Sequence, residues 1–482
     1  MDLIIRNGDV VTASAVYRAD IGIAGGKIVR IERGLAGAAA SEAGMAPNAA
    51  ARMEVFDATG KYVLPGAIDV HTHFDMPLPA TRVSDDFRIG TRAAACGGIT
   101  SIIDFANQVQ GESLAKTLDD WRERARGKAV VDYGFHMTIT DARDEVLDEI
   151  PRIRDQGITT LKILMAYKGT LMQDDAAIYR ILERAVKEGL LVLAHCENGG
   201  VIDARRKQFA AEGKLSPVWH PRSRPPILEG EATGRVIDIA ETVGAPVYVV
   251  HLTCRQALER VQAARARGLP VFAETCPQYL VLDESMIDAP GFEGAKFVCS
   301  PPLREKSHQV VLWAGLRNGF LSVVGSDHAP FNFKGQKELG RENFLLIPNG
   351  LPGSETLVPI LYSEGVRKGR ISLNEMVALT SANPAKLFGL FPEKGTLSVG
   401  SDADLMILDP EKRVVLGRGT LHHRVDYSPY EGMEVQGVPV ATLSRGVFLH
   451  RDGEVTAPAG HGRFLARGRS AAFDGLPERA GL

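Results

Sequence analysis

His71 and His73 stand two residues apart at the end of a largely apolar run, residues 62–70, which is interrupted by Pro65, Gly66 and Asp69. Strand side chains alternate between faces, so residues two apart share one. The pair presents two imidazoles side by side, a grip suited to a divalent metal ion. Twelve histidines in 482 residues produce some close pairs by chance, so the pair gains meaning from its company. His195 ends the run 190–194, His251 ends 247–250, and Asp327 follows 321–324. One histidine in such a place is most often a hydrogen-bonded core residue. Four histidines and an aspartate in equivalent places read as metal ligands.

Lys162 lies inside another apolar run, 159–166. A lysine there either snorkels outward or gives up its charge, because burying an ammonium costs several kcal/mol. Desolvation and nearby cations lower its pKa. A neutral amine combines with carbon dioxide to give a carbamate, an anionic ligand able to bridge two metals. Four imidazoles and Asp327 bring too little negative charge for two divalent ions, so Lys162 is expected as that carbamate. With a bridging hydroxide the centre would keep one net positive charge, which favours a substrate oxygen gaining negative charge. Metal coordination lowers the pKa of water from ~15.7 toward ~7 and supplies a nucleophile. Asp327 keeps a second oxygen to take the proton and pass it to a leaving nitrogen.

The elements that must position these residues follow from periodicity. Eight short apolar runs (62–70, 99–105, 133–139, 159–166, 190–194, 247–250, 271–273 and 321–324) alternate with segments of helical spacing such as 176–189 and 230–243. This alternation predicts an α/β fold with a parallel (β/α)8 barrel, whose active site forms at the carboxyl ends of its strands. A doubly wound open sheet is the alternative, but no Gly-rich phosphate fingerprint follows the first run. Short strand-like segments with Asn7-Gly8 and Gly25-Gly26 turns fill residues 1–60, and similar text returns at 403–408 and 440–443. We expect a small β-sandwich domain built from residues 1–62 and 395–450, a catalytic barrel at 63–394, and a tail at 451–482. The Ala- and Gly-rich stretch 35–52 is expected as a surface excursion.

Composition narrows the function class. The chain is 45% hydrophobic and 24% charged, with a formal net charge of -3 and no long basic run, which argues against a nucleic-acid partner. No signal peptide is read at the amino terminus, and no window approaches the ~20 apolar residues of a membrane span. Cys96, Cys196, Cys254, Cys276 and Cys299 form no C-x-x-C pair. They suit a reducing cytoplasm and read as small buried residues, although Cys196 and Cys254 lie near histidines.

Seven blocks then carry a resemblance. They are 71–77 (HTHFDMP), 161–169 (LKILMAYKG), 195–199 (HCENG), 223–226 (SRPP), 299–304 (CSPPLR), 326–331 (SDHAPF) and 347–353 (IPNGLPG). In this order the chain resembles the dihydropyrimidinase/hydantoinase family of the amidohydrolase superfamily. The resemblance implies metal ligands at His71, His73, Lys162 as a carbamate, His195, His251 and Asp327. It implies two divalent ions, with zinc leading and manganese, cobalt or iron as alternatives. It further implies a Tyr167 hydroxyl that helps hold the oxyanion, and Ser300 and Asn349 backbone groups that grip a cyclic amide. The reaction would open a dihydropyrimidine or hydantoin ring to an N-carbamoyl amino acid.

Allantoinase is the nearest competing activity, and a non-catalytic scaffold protein of the related type is disfavoured because all six ligands are present. Dihydroorotase is disfavoured by Asp75, which would repel a substrate carboxylate. Phe74 departs from the family pattern and is expected to reshape the pocket. The tail resembles one that lies across a neighbouring subunit, so a homotetramer is expected, with a dimer next.

Overall fold

A computed structural model describes residues 1–35 and 53–476. Residues 36–52, the bulk of the expected surface excursion, lie outside the described residues, as do the last six. Eight parallel strands follow one another in chain order: β1 (Ala67–Thr72), β2 (Ile99–Asn107), β3 (Asp132–Thr138), β4 (Thr160–Leu164), β5 (Leu191–His195), β6 (Val247–Val249), β7 (Val271–Thr275) and β8 (Val323–Val324). Nearly all their residues are buried, as expected of strands covered on both faces. The segment after β8 closes the ring. His328 donates its N–H to the His71 carbonyl at 3.2 Å, and His73 donates to the His328 carbonyl at 2.9 Å.

Helices between the strands follow the sequence signals. In Asp175–Lys187 the Asp174 side chain caps the Ala177 amide, and Ile178, Ile181, Leu182 and Ala185 form one buried face. Pro226–Val243 opens on a proline and stops at Gly244, where φ is +59°. Phe388, Leu390, Leu465 and Phe473 join Val70, Phe105, Leu193 and Tyr248 in one buried cluster that plugs the amino end of the barrel. The described part of the tail therefore packs on its own barrel. Leu465 donates to the Tyr133 carbonyl at 2.7 Å, and Arg467 donates to the Gly157 carbonyl at 3.1 Å.

The first apolar run does not form one strand. Tyr62–Pro65 pairs with the terminal strands, whereas Ala67–Thr72 enters the barrel. Gly66 makes the crossing, because a Cβ there would lie 2.2 Å from Thr100 Oγ1. Residues 63–65, expected in the barrel, thus belong to the small β unit. That unit is one nine-stranded mixed sheet. It curls so far that Ile28 donates to the Ser401 carbonyl at 3.0 Å, and strands from both chain ends share one core.

A buried lysine ties the two units together. Lys394 Nζ donates to Asp404 at 2.6 Å, Asp132 of β3 at 2.9 Å and Asp402 at 3.1 Å, and all four side chains are at most 3% exposed. Burial opposes its charge, but Asp404 and Asp132 outweigh that and raise its pKa. Lys394→Met would leave buried Asp404 without a cation and Asp132 and Asp402 only with Arg445, Lys27 and Arg463 at the edge of the cluster. It should lower unfolding free energy by about 3–5 kcal/mol, read by chemical denaturation.

Candidate active site

All six expected ligands gather at the carboxyl end of the barrel. His71 is on β1 and His73 just beyond it, Lys162 lies in β4, and His195 ends β5. His251 and Asp327 follow β6 and β8. His71 Nε2 and His73 Nε2 approach Asp327 Oδ1 at 3.2 and 3.3 Å. His195 Nδ1 and His251 Nε2 meet at 2.9 Å. The His71 and His251 rings stand 5.3 Å apart, so the two groups adjoin. The backbone is strained to achieve this: φ is +66° at Tyr167, +39° at His251 and +51° at Asp327. Such non-glycine conformations cost on the order of 1–3 kcal/mol each and collect at functional sites.

Electrostatics suit cation binding. Burial depresses the pKa of His71, His195 and His251, which keeps these imidazoles neutral with lone pairs available. Burial works against ionisation of Asp327, but His71, His73 and Lys162 outweigh it and hold the carboxyl below its usual range. Lys162 is 4% exposed, and its Nζ has no hydrogen-bond partner. Burial pushes its pKa down to about 8, against the pull of Glu274 and Asp327. An amine with no hydrogen-bond partner, whose charge burial disfavours more than Glu274 and Asp327 support it, is a poor ion pair and a good reactive group. The donor set fits divalent metal ions, with His71, His73 and Asp327 converging on one point.

Tyr167 lies beside this cluster, its ring 5.7 Å from that of His195. Burial raises its pKa, while Arg224 and the side chains of Ser300 and Asn349 act the other way. The hydroxyl therefore stays protonated at neutral pH and can donate. The Ser300 and Asn349 peptide groups make no hydrogen bond among the described residues. Phe74 corrects an expectation. It is fully buried against Phe87 and His328 and packs over Gly90, so it belongs to the core instead of shaping the pocket. All five cysteines are free and buried, and burial pushes the Cys196 thiol up to about 12, unlike a thiolate ligand.

With this geometry in place, comparison with known proteins is decisive. A family model described as the amidohydrolase family matches residues 62–449. A D-hydantoinase of Geobacillus stearothermophilus is 51% identical over 474 residues, 98% of each chain. The crystal structure of a dihydropyrimidinase from Brevibacillus agri matches with a TM-score of 0.94 and 52% identity, over 98% of this chain and 100% of that one. This chain belongs to the amidohydrolase family, in its dihydropyrimidinase/D-hydantoinase branch. It is a hydrolase of carbon–nitrogen bonds in cyclic amides. An L-hydantoinase from Arthrobacter aurescens shares the fold at a TM-score of 0.85 but only 30% identity, over 96% of this chain and 99% of that one.

Around these histidines of the amidohydrolase stand residues that the sequence alone did not single out. Glu274, the penultimate residue of β7, contacts His71 Nδ1, accepts the Tyr248 hydroxyl at 2.8 Å and accepts the His251 amide at 3.2 Å. Burial outweighs the Tyr248 and His251 donors and the Lys162 charge and pushes its pKa up to about 8. Its hydrogen bond fixes the His71 ring so that Nε2 faces Asp327. Glu197 does the same for His195, with Nε2 at 2.8 Å, and is itself held by Arg224 at 2.8 Å. Burial opposes ionisation of Glu197, but Arg224 and His195 hold its carboxyl far below the usual range. A carboxylate within or just after an apolar run was the available signal for both.

Proposed function

We propose that this enzyme opens 5-monosubstituted hydantoins of D configuration, and 5,6-dihydropyrimidines, to N-carbamoyl amino acids. The observation that carries the reading is the unpartnered Lys162 amine, enclosed by four histidines and Asp327 beside the Tyr167 hydroxyl. The D preference rests on the higher identity to a D-hydantoinase than to an L-hydantoinase.

Two divalent ions, with zinc leading, would be held by His71, His73, Lys162 as a carbamate, His195, His251 and Asp327; when bound they acidify water and polarise the amide carbonyl. The protein's own residues do the rest. Asp327 takes a proton from the attacking water and returns it to the ring nitrogen as the C–N bond breaks. Tyr167 donates its O–H to the carbonyl oxygen as charge develops there. The unpaired peptide groups of Ser300 and Asn349 hold the remaining amide edge of the ring.

A panel of ring-opening rates on dihydrouracil, hydantoin, D- and L-phenylhydantoin, allantoin and dihydroorotate, with metal analysis of the same sample, tests this reading. Turnover of allantoin above the hydantoins would overturn it in favour of an allantoinase. The five free cysteines support a reducing cytoplasm, and no helix among the described residues is long and apolar enough to cross a membrane. A homotetramer, with a dimer next, follows from the family resemblance and is read by sedimentation.

Loops after β1 and β4 supply the ring-substituent pocket in this reading. Leu78 packs beside Ala329 and Phe331, which follow Asp327 in the chain, and Leu164 and Leu171 flank Tyr167 in sequence. An apolar contact of this kind discriminates by only ~1–3 kcal/mol per methylene. Leu78→Ala or Leu171→Ala should therefore shift the phenylhydantoin-to-dihydrouracil ratio of kcat/KM by roughly tenfold and leave metal content unchanged. An unmoved ratio in both variants would place the pocket elsewhere.

A further inference from the structure

Lys337 takes no part in the chemistry above, yet it is 0% exposed and no carboxylate pairs with it among the described residues. Its Nζ donates to the carbonyls of Val298 at 2.7 Å, Pro348 at 2.8 Å and Gly350 at 2.9 Å. An ammonium has three donors and all three are used. The acceptors are not scattered. Pro348 and Gly350 stand on either side of Asn349, and Val298 lies two residues before Ser300.

The surroundings fix the same two loops from other sides. His220 Nε2 lies 2.8 Å from the Cys299 carbonyl, Tyr279 donates to the Pro301 carbonyl at 2.8 Å, and Gly350 donates to Val298 at 3.1 Å. Gly350 has φ of +149°, and a Cβ there would come within 2.3 Å of the Ala329 carbonyl oxygen. The Asn349 loop is thereby seated against the strand extension that carries Asp327. The carbonyls of Val298, Cys299, Pro301, Pro348 and Gly350 are thus all hydrogen-bonded, while the peptide groups of Ser300 and Asn349 themselves stay unpaired.

We propose that Lys337 is a positioning residue, whose ammonium clamps the two loops so that the Ser300 and Asn349 peptide groups meet the cyclic amide at a fixed separation. This rests on the assignment of those two residues to substrate binding. Burial pushes the Lys337 pKa down to about 7, so a charge at this point is held at a cost that an apolar side chain would avoid. Backbone groups that grip the ring without touching the reacting atoms contribute binding common to ground and transition state, so their misplacement appears in KM.

The test uses metal-loaded enzyme with Lys337→Met, which removes all three bonds, and Lys337→Gln, which can restore at most two. KM for hydantoin should rise roughly tenfold in Lys337→Met and by less in Lys337→Gln. kcat should stay within about threefold and metal content should not change. A folded variant with native KM, or a loss confined to kcat or tracking metal loss, overturns the proposal. Failure of both variants to fold would make Lys337 a structural buttress and overturn it as well. Hydrogen exchange of the wild-type enzyme separates the underlying reading from the clamp. Saturating hydantoin should protect residues 298–301 and 348–351. No protection there would remove the substrate assignment itself, whereas protection with unchanged KM in the variants would remove only the clamp.

Discussion

Lys162→Ala is expected to abolish ring opening while leaving the fold intact. The side chain is buried and its Nζ has no hydrogen-bond partner, so its desolvation cost outweighs the attraction of Glu274 and Asp327 in the metal-free protein. Its removal should leave the melting temperature of metal-depleted enzyme unchanged or raise it. The effect on the loaded enzyme runs the other way. Without the carbamate, four neutral imidazoles and Asp327 cannot neutralise two divalent ions, so bound metal should fall from two ions per chain toward one. A short carboxylic acid supplied in solution should restore part of the activity by entering the space of the lost side chain. Labelled bicarbonate should give wild-type enzyme a carbamate carbon signal that the variant lacks. Two ions per chain and near-native rates in Lys162→Ala would sink the bridging-lysine model.

Asp327→Asn should lower kcat by roughly 10² or more. The amide is close in size, and an oxygen placed as Oδ1 now is, near His71 Nε2 and His73 Nε2, can still coordinate. It cannot accept a proton. The informative outcome is therefore a variant with both metals bound, KM little changed and kcat collapsed. Near-native kcat with full metal content would assign the proton to another group, and Glu274 beside His71 would be the first to examine.

The barrel was legible in the sequence because its strands are covered on both faces, so each appears as a largely apolar stretch whose polar exceptions stand out. All eight runs overlap the eight barrel strands. The same logic made the candidate ligands visible, since a histidine or lysine in or at the end of an apolar stretch has no bland purpose when several occur together. The first run misled because apolarity does not encode which sheet a strand joins. Tyr62–Pro65 and Ala67–Thr72 look continuous, and only the close approach of Thr100 to Gly66 shows where the chain leaves one sheet for the other. Phe74 misled for a similar reason, since adjacency to His73 in sequence says nothing about which way the ring packs.

The sequence alone determined the candidate ligands, their order along the chain and the barrel that presents them, because these depend on residue chemistry and on periodicities of a few residues. Only the tertiary structure decided which groups orient them. Glu274 meets His71 from 203 residues away, Arg224 reaches Glu197 across 27, and Lys337 joins loops 39 and 13 residues distant. A hydrogen bond depends on distances of about 3 Å between atoms. No local pattern records that two segments far apart in the chain will arrive so close, and for these residues the folded barrel supplies the distance.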